Sequence, residues 1–323
     1  MFPPHIHDLL LDQSGVVARR QLLGAGMRPH DIERWRRRKD LALVHPGVYV
    51  DQTGDPTWLQ RAWAGVLWCG SGAALWGESA LRAHEGPGKE TDQSLIHVAV
   101  DRMRGIDAPT GVRVHRKVRL DDRVLWNLRP ARQRYEDAAL EVALARRDRL
   151  DALGVLAGAV QQRRTTAGRL VDSLKTRPRA SHRDWIEAVL RDLAEGTCSV
   201  LEHGYLTDVE RAHGLPTSVR QATAKASVGL VYRDHEYDVG LVVELDGRLF
   251  HDSARQRDRD LERDLDAALD GKDTRRLGWG QVFDRPCSTA GKVARLLCVR
   301  GWPGRPHGCA PDCRVLESFT RAA

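Results

Sequence analysis

The chain has 323 residues, 41% hydrophobic and 29% charged, which excludes a disordered or low-complexity protein and leaves enough apolar mass for more than one core. Its net charge is +7, so polyanions are the partners its field attracts, nucleic acid first among them. The longest apolar stretch, Ala62 to Trp76, is broken by Gly65, Gly70, Ser71 and Gly72, so no membrane span is expected. The start, Met1-Phe2-Pro3-Pro4-His5, is unlike a signal peptide, and six scattered cysteines suit a reducing cytosol.

From the N-terminus, Ile6, Leu9 and Leu10 mark a helix that stops at Ser14-Gly15, and Ala18 to Leu23 a second one. After the turn Gly24-Ala25-Gly26, Pro29 opens a third helix, His30 to Arg38, with Ile32 and Trp35 facing inward. Leu41 to Val50 alternate around His45-Pro46-Gly47, a strand-turn-strand signal. The pattern over residues 1–54 is that of a winged helix-turn-helix. On its third helix His30, Arg34, Arg36, Arg37, Arg38 and Lys39 form either a solvated basic face or a set of phosphate and base-edge contacts to DNA.

Residues 55–180 read as a middle α/β domain. Helices are expected over Leu59–Leu67, Leu75–His84, Arg134–Ala145, Asp151–Val160 and Ala167–Leu174, with strands at Ile96–Val100 and Val112–His115. Gly70-Ser71-Gly72 lacks the Gly-Lys-Ser/Thr that would hold phosphate and magnesium, so no nucleotide loop is expected there. Thr176 to Ser181 reads as a linker.

Residues 181–300 alternate between helix and strand: helices at Asp184–Leu193 and Ser199–His213, a strand pair flanking Asp238-Val239-Gly240, a charged helix Arg255–Leu269, a strand Leu277–Phe283 and a helix Ala290–Val299. Together with the preceding regions this makes an α/β (α+β) multidomain chain. The strand Val242-Val243-Glu244-Leu245-Asp246-Gly247 ends in two carboxylates, and Val228 to Asp234 ends in a third. Two carboxylates about 4 Å apart at an effective dielectric near 20 repel by roughly 4 kcal/mol, a cost that a divalent cation commonly offsets. A hairpin centred near Val239 sets Asp234 opposite Glu244, with Asp238 the alternative partner.

Glu202, Asp234, the run Glu244-Leu245-Asp246-Gly247, His251, and Arg263-Asp264 resemble the very-short-patch-repair-like endonuclease branch of the PD-(D/E)XK superfamily. Residues 1–54, and more weakly the middle domain, resemble the AbiEi-type antitoxin winged-helix family of type IV toxin-antitoxin systems. The first resemblance implies a restriction-endonuclease-like core that hydrolyses phosphodiester bonds in DNA with Mg²⁺ or Mn²⁺. Asp234 and Glu244 would bind the metal with help from the Leu245 carbonyl, and Glu202 would complete the site. His251 would act as general acid or orient the water, and Arg263 would steady the phosphate or pair with Asp264 or Asp260. Asp246 stands where the superfamily has its lysine, as a metal ligand or as a structural acid pairing an arginine such as Arg248. Without a metal, Asp234 and Glu244 would instead form a cross-strand network with Arg233, Arg248 and Arg255. The second resemblance implies a DNA-binding regulator whose nuclease-like domain is inactive, working with a toxin or with a repair or defence partner. In the tail, residues 301–323, His307, Cys309 and Cys313, with the more distant Cys298, offer a loose zinc-ligand set or remain free thiols.

Overall fold

Two compact units, Met1–Val142 and Ala143–Ala323, make up the chain. The computed structural model describes residues 2–86, 95–195, 199–226, 229–247 and 254–320. The fold is α/β with three sheets, and among the described residues no helix is long and apolar enough to cross a membrane.

The first unit begins with α1 (Pro4–Asp12), β1 (Val16–Ala18), α2 (Arg19–Gly24), α3 (Pro29–Arg37), β2 (Ala42–His45) and β3 (Val48–Val50). The three strands pair in the order β1-β3-β2. Helical spacing turns Ile6, Leu10, Leu22, Ile32 and Trp35 inward, where they meet Leu41 and Tyr49 of the strand segment in one buried cluster. The sequence reading of three helices and a hairpin stands here, and β1 is the added element.

The rest of this unit comprises α4 (Trp58–Cys69), β4 (Ala74–Leu75), α5 (Gly77–Glu85), β5 (Ile96–Asp101), β6 (Val112–Lys117), β7 (Val124–Leu125), β8 (Arg132–Gln133) and α6 (Tyr135–Ala145) as far as Val142. The strands form one sheet in the order β6-β5-β4-β8-β7, with β5 and β6 parallel. Helix α4 starts at a capping box: the Thr57 hydroxyl accepts from Gln60 N, and Gln60 Oε1 accepts from Thr57 N. Gly65 lets α4 lie against the sheet, since a methyl there would come within 3.3 Å of Ile96 and Val112. At Gly70-Ser71-Gly72 the Arg104 guanidinium donates to the carbonyls of Cys69 and Ser71. The loop thus offers oxygens to a cation, the opposite of a phosphate cradle.

The second unit holds α7 (Arg149–Gln161), α8 (Ala167–Lys175), α9 (Arg183–Glu195) and α10 (Ser199–Gly204); α10 runs on through a π-helical turn, Tyr205–Glu210, and a 3₁₀ turn, Arg211–His213. Strands β9 (Val219–Ala226), β10 (Gly229–Glu236) and β11 (Leu241–Asp246) follow, then α11 (Ala254–Leu269), β12 (Asp273–Gly278), α12 (Pro286–Val299) and α13 (Val315–Thr320). The sheet order is β12-β11-β10-β9, antiparallel except for the parallel pair β11/β12 joined by α11.

Three expectations are corrected. Residues 176–181 are no linker: Arg177 is buried and donates to Ser173 O at 2.9 Å, and Arg183 donates to Leu174 O at 2.8 Å, so α8 and α9 are tied together. Residues 143–180 accordingly belong with the C-terminal unit, and the boundary lies at 142/143. The last strand is Asp273–Gly278, not Leu277–Phe283; the apolar residues beyond it belong to a helical turn, Gly280–Asp284, that buries Val282. Strand β9 had no counterpart in the sequence reading.

Candidate active site and candidate nucleic-acid interface

In the β10/β11 hairpin His235 pairs with Val243 and Glu236 with Val242, a register that sets Asp234 opposite Glu244. The chain reverses at Asp238-Val239-Gly240, where Tyr237 N donates to Leu241 O and Gly240 takes a positive φ of 80°. Asp238 is exposed in that turn, which removes it as the partner. On the other side of β11, Glu244 pairs with Arg276 of β12. Across β9, Arg233 pairs with Ala222 and His235 with Arg220, which brings Gln221 level with Asp234. One row therefore crosses all four strands: Gln221, Asp234, Glu244, Arg276.

Side chains around this row carry the polar contacts. Asp234 Oδ2 accepts Leu245 N–H at 2.7 Å. The Gln221 amide nitrogen donates to Glu202 Oε1 at 3.3 Å and to Asp234 Oδ1 at 3.4 Å, and so bridges two of the expected metal ligands. Arg276 donates to Asp264 of α11 at 2.9 Å. Glu244, Arg263, Asp264 and Arg276 line a crevice under α11 with about 20 Å³ of free space, enough for one water. Asp246 is half-buried level with Gly278.

The electrostatics set these acids apart. Burial, and then the charge of Asp234, push the Glu244 carboxyl up to about 7, against the pull of Arg276 and Arg263. Burial also raises Asp234, opposed by its hydrogen bonds from Leu245 and Gln221. Glu202 is raised by burial and by Asp234. An all-carboxylate donor set of this kind suits a hard divalent cation, whose charge would offset the burial that raises these carboxyls. The three are not gathered into a closed cage, however: among the described residues, the one group of three or more potential ligands lying within 4.8 Å of one another is His213, Cys287, Cys309 and Cys313. Asp234 and Glu244, opposite one another in the hairpin register, supply donor chemistry of the kind such an ion takes, and Glu202 is held through the Gln221 amide. His251, with Arg248, lies outside the described residues, as do the side chains of Arg255 and Asp260.

The tail differs from its expected ligand set. Cys309 and Cys313 meet His213 and Cys287 rather than His307 and Cys298. The His307 ring packs over Gly214, and the Cys298 thiol donates to Gly304 O at 3.4 Å. Sequence reasoning also missed a buried network behind β10. Ser218 Oγ donates to Glu210 Oε2 at 2.6 Å, Tyr237 OH donates to the same oxygen at 3.0 Å, and Tyr205 OH lies 2.8 Å from Tyr237 OH. His235 Nδ1 lies 2.8 Å from Ser218 Oγ.

In the first unit, α3 buries Ile32 and Trp35 and exposes the basic residues. Asp31 and Glu33 on the same helix hold several of them: Arg34 pairs with Asp31 at 3.0 Å, Arg36 with Glu33 at 2.9 Å, and His30 lies 3.3 Å from Asp31. Arg38 reaches Asp40 at 3.5 Å, and Arg37 and Lys39 are exposed. Exposed pairs of this kind contribute little to stability and exchange readily for a phosphate.

No protein-family model matches the chain, and no curated protein resembles it significantly in sequence.

Proposed function

We propose that the second unit is a metal-dependent phosphodiesterase acting on DNA, with the winged helix of the first unit as its DNA-binding module, in the reducing cytosol. The observation that carries this reading is the Asp234–Glu244 pair at a strand end, where burial and then the charge of Asp234 push Glu244 up to about 7 although Arg276 and Arg263 pull it down. Carboxyls raised by burial beside a like charge are typical of sites that work on a ligand.

Asp234 and Glu244 would hold Mg²⁺ or Mn²⁺, and Glu202 would join them once the Gln221 amide yields. What the ion supplies when bound is a water of lowered pKa and a counter-charge for the phosphate. Arg263, beside Glu244, has the charge and the position to orient a phosphodiester at the crevice. Arg276, fixed by Asp264, would contribute positive charge beside Glu244. Exposed Arg34, Arg37 and Arg38 would hold the duplex backbone, and exchanging them would lower the salt dependence of binding.

The test is incubation of the whole chain with Mg²⁺ or Mn²⁺ and supercoiled, linear and mismatched DNA, beside Glu244→Ala. Cleavage by the unaltered chain alone supports the proposal; equal behaviour of the two overturns it. The second reading is a DNA-binding regulator of antitoxin type with a toxin or a repair or defence partner, its nuclease-like unit inactive. It is favoured by the way the Gln221 amide already bridges Glu202 and Asp234, and the Arg276 charge already pulls on Glu244, without a metal ion. It expects binding that needs Arg34, Arg37 and Arg38 but is indifferent to Glu244 and to metal.

A further inference from the structure

The tail folds back onto the core of the second unit at one point. His307 N donates to His213 O at 3.0 Å, and Cys313 N donates to Ala310 O at 3.1 Å, closing the turn that carries Cys309 and Cys313. Cys287 stands in the first turn of α12, and His213 ends the helical stretch that starts at α10. Three segments far apart in sequence thus deliver three thiols and an imidazole to one place, with all four ligand atoms within 4.8 Å of one another.

The spacing is informative. Zinc–sulfur bonds of about 2.3 Å and zinc–nitrogen bonds of about 2.0–2.1 Å, set at the tetrahedral angle, give edges of about 3.8 Å between sulfurs and about 3.6 Å between sulfur and nitrogen. Cys287 Sγ lies 3.7 Å from Cys309 Sγ, and Cys313 Sγ lies 3.5 Å from His213 Nε2. A disulfide needs sulfurs about 2.05 Å apart, so this is not its geometry. His213 is also prepared as a ligand. Its Nδ1 lies 3.1 Å from Val209 O, and because a carbonyl only accepts, that nitrogen carries the proton and Nε2 presents its lone pair to Cys313. The ring is wholly buried, which fixes its direction.

We propose that His213, Cys287, Cys309 and Cys313 bind one zinc ion in a closed, structural Cys₃His site that fastens the tail to α12 and to the end of the α10 helical stretch. All four positions are filled by protein, so the site has no open position for catalysis. It stands apart from the carboxylate row, and the nuclease reading neither needs it nor is needed by it. Beyond the site, α13 rests on α12 at Gly291, where any side chain would collide with Val315 O, and Ser318 Oγ donates to Ser288 Oγ at 3.1 Å.

The experiment is metal analysis of the whole chain purified without chelator, followed by replacement with cobalt. About one zinc per chain is expected, and the cobalt form should show the strong visible bands of a tetrahedral ion with sulfur-to-cobalt charge transfer. Cys298→Ser and His307→Ala should keep full occupancy, while Cys309→Ser and Cys287→Ser lose most of it. Because a ligand variant can fail for want of folding, the cobalt spectrum of the unaltered chain tests the ligand set independently. Chelation of the unaltered chain should open residues 300–314 to limited proteolysis. The proposal is overturned by a chain that takes up neither ion when both are supplied, by an octahedral cobalt spectrum without charge transfer, or by occupancy that depends on Cys298 and His307 but not on Cys287.

Discussion

Asp234 and His235 are neighbours in β10, yet they end in opposite kinds of polar surroundings. His235 joins a buried network in which Ser218, Tyr205, Tyr237 and Glu210 satisfy one another. Burial and the charge of Arg220 lower its pKa to about 4, so the ring stays neutral. Asp234 joins Glu202, through the Gln221 amide, and Glu244, its partner across the hairpin, and burial raises the pKa of all three acids. Apart from His235 Nε2, which is buried with no hydrogen-bond partner among the described residues, the first network is satisfied from within and specifies a fold; a buried cluster of like charges costs stability and persists where a ligand supplies what is missing.

That contrast can be broken at either end. The largest effect is expected for Glu244→Gln, which should slow metal-dependent DNA cleavage by about a thousandfold, the order that loss of several kcal/mol of metal-borne stabilisation produces. The same variant should gain stability. A carboxyl whose folded pKa is raised favours the fold fully below its unfolded value near 4.5 and loses that contribution as pH climbs through about 7. At pH 8 without metal, Glu244→Gln should therefore unfold at higher urea, by about 1–3 kcal/mol, and the gap should close at pH 4.5.

In the other cluster, Glu210→Ala should cost about 2–4 kcal/mol by the same denaturation assay, because it strands the hydroxyls of Ser218 and Tyr237 in the interior. Below that comes the pH effect of His235. Its folded pKa lies below its unfolded value of 6.5, so its contribution is complete above that value and drains away as pH falls through about 4. His235→Gln should flatten this part of the urea-midpoint profile. The smallest effect is Gln221→Ala, which should shift Mn²⁺ affinity by less than about tenfold in calorimetry while Asp234→Asn removes binding.

The parts that were legible beforehand rest on local rules. The spacing of Ile6, Leu10, Ile32 and Trp35 marks the core of the first three helices, and counting outward from Val239 sets Asp234 across from Glu244. What escaped has local reasons too. Strand β9 reads Val-Arg-Gln-Ala-Thr-Ala-Lys-Ala, without the bulky alternation of a half-buried strand, because it lies at the edge of its sheet. The polar β12 lies at the other edge, and the stronger apolar signal sits just beyond it at Trp279, Val282 and Phe283. Residues 176–181 have a linker's composition, yet Arg177 and Arg183 spend their guanidinium groups on helix-end carbonyls. The gathering of His213 and Cys287 with Cys309 and Cys313 spans a hundred residues and leaves no spacing motif to read.

Gln221 has one more consequence. Its φ of 50° is a left-handed conformation inside a strand, and that strand lies at the edge of the sheet. A continuous edge would offer an unbroken ladder of amides and carbonyls on which another chain could add a strand. The kink at Gln221 breaks that ladder midway, so the residue that bridges two acids within the molecule also hinders its copies from zipping together along β9.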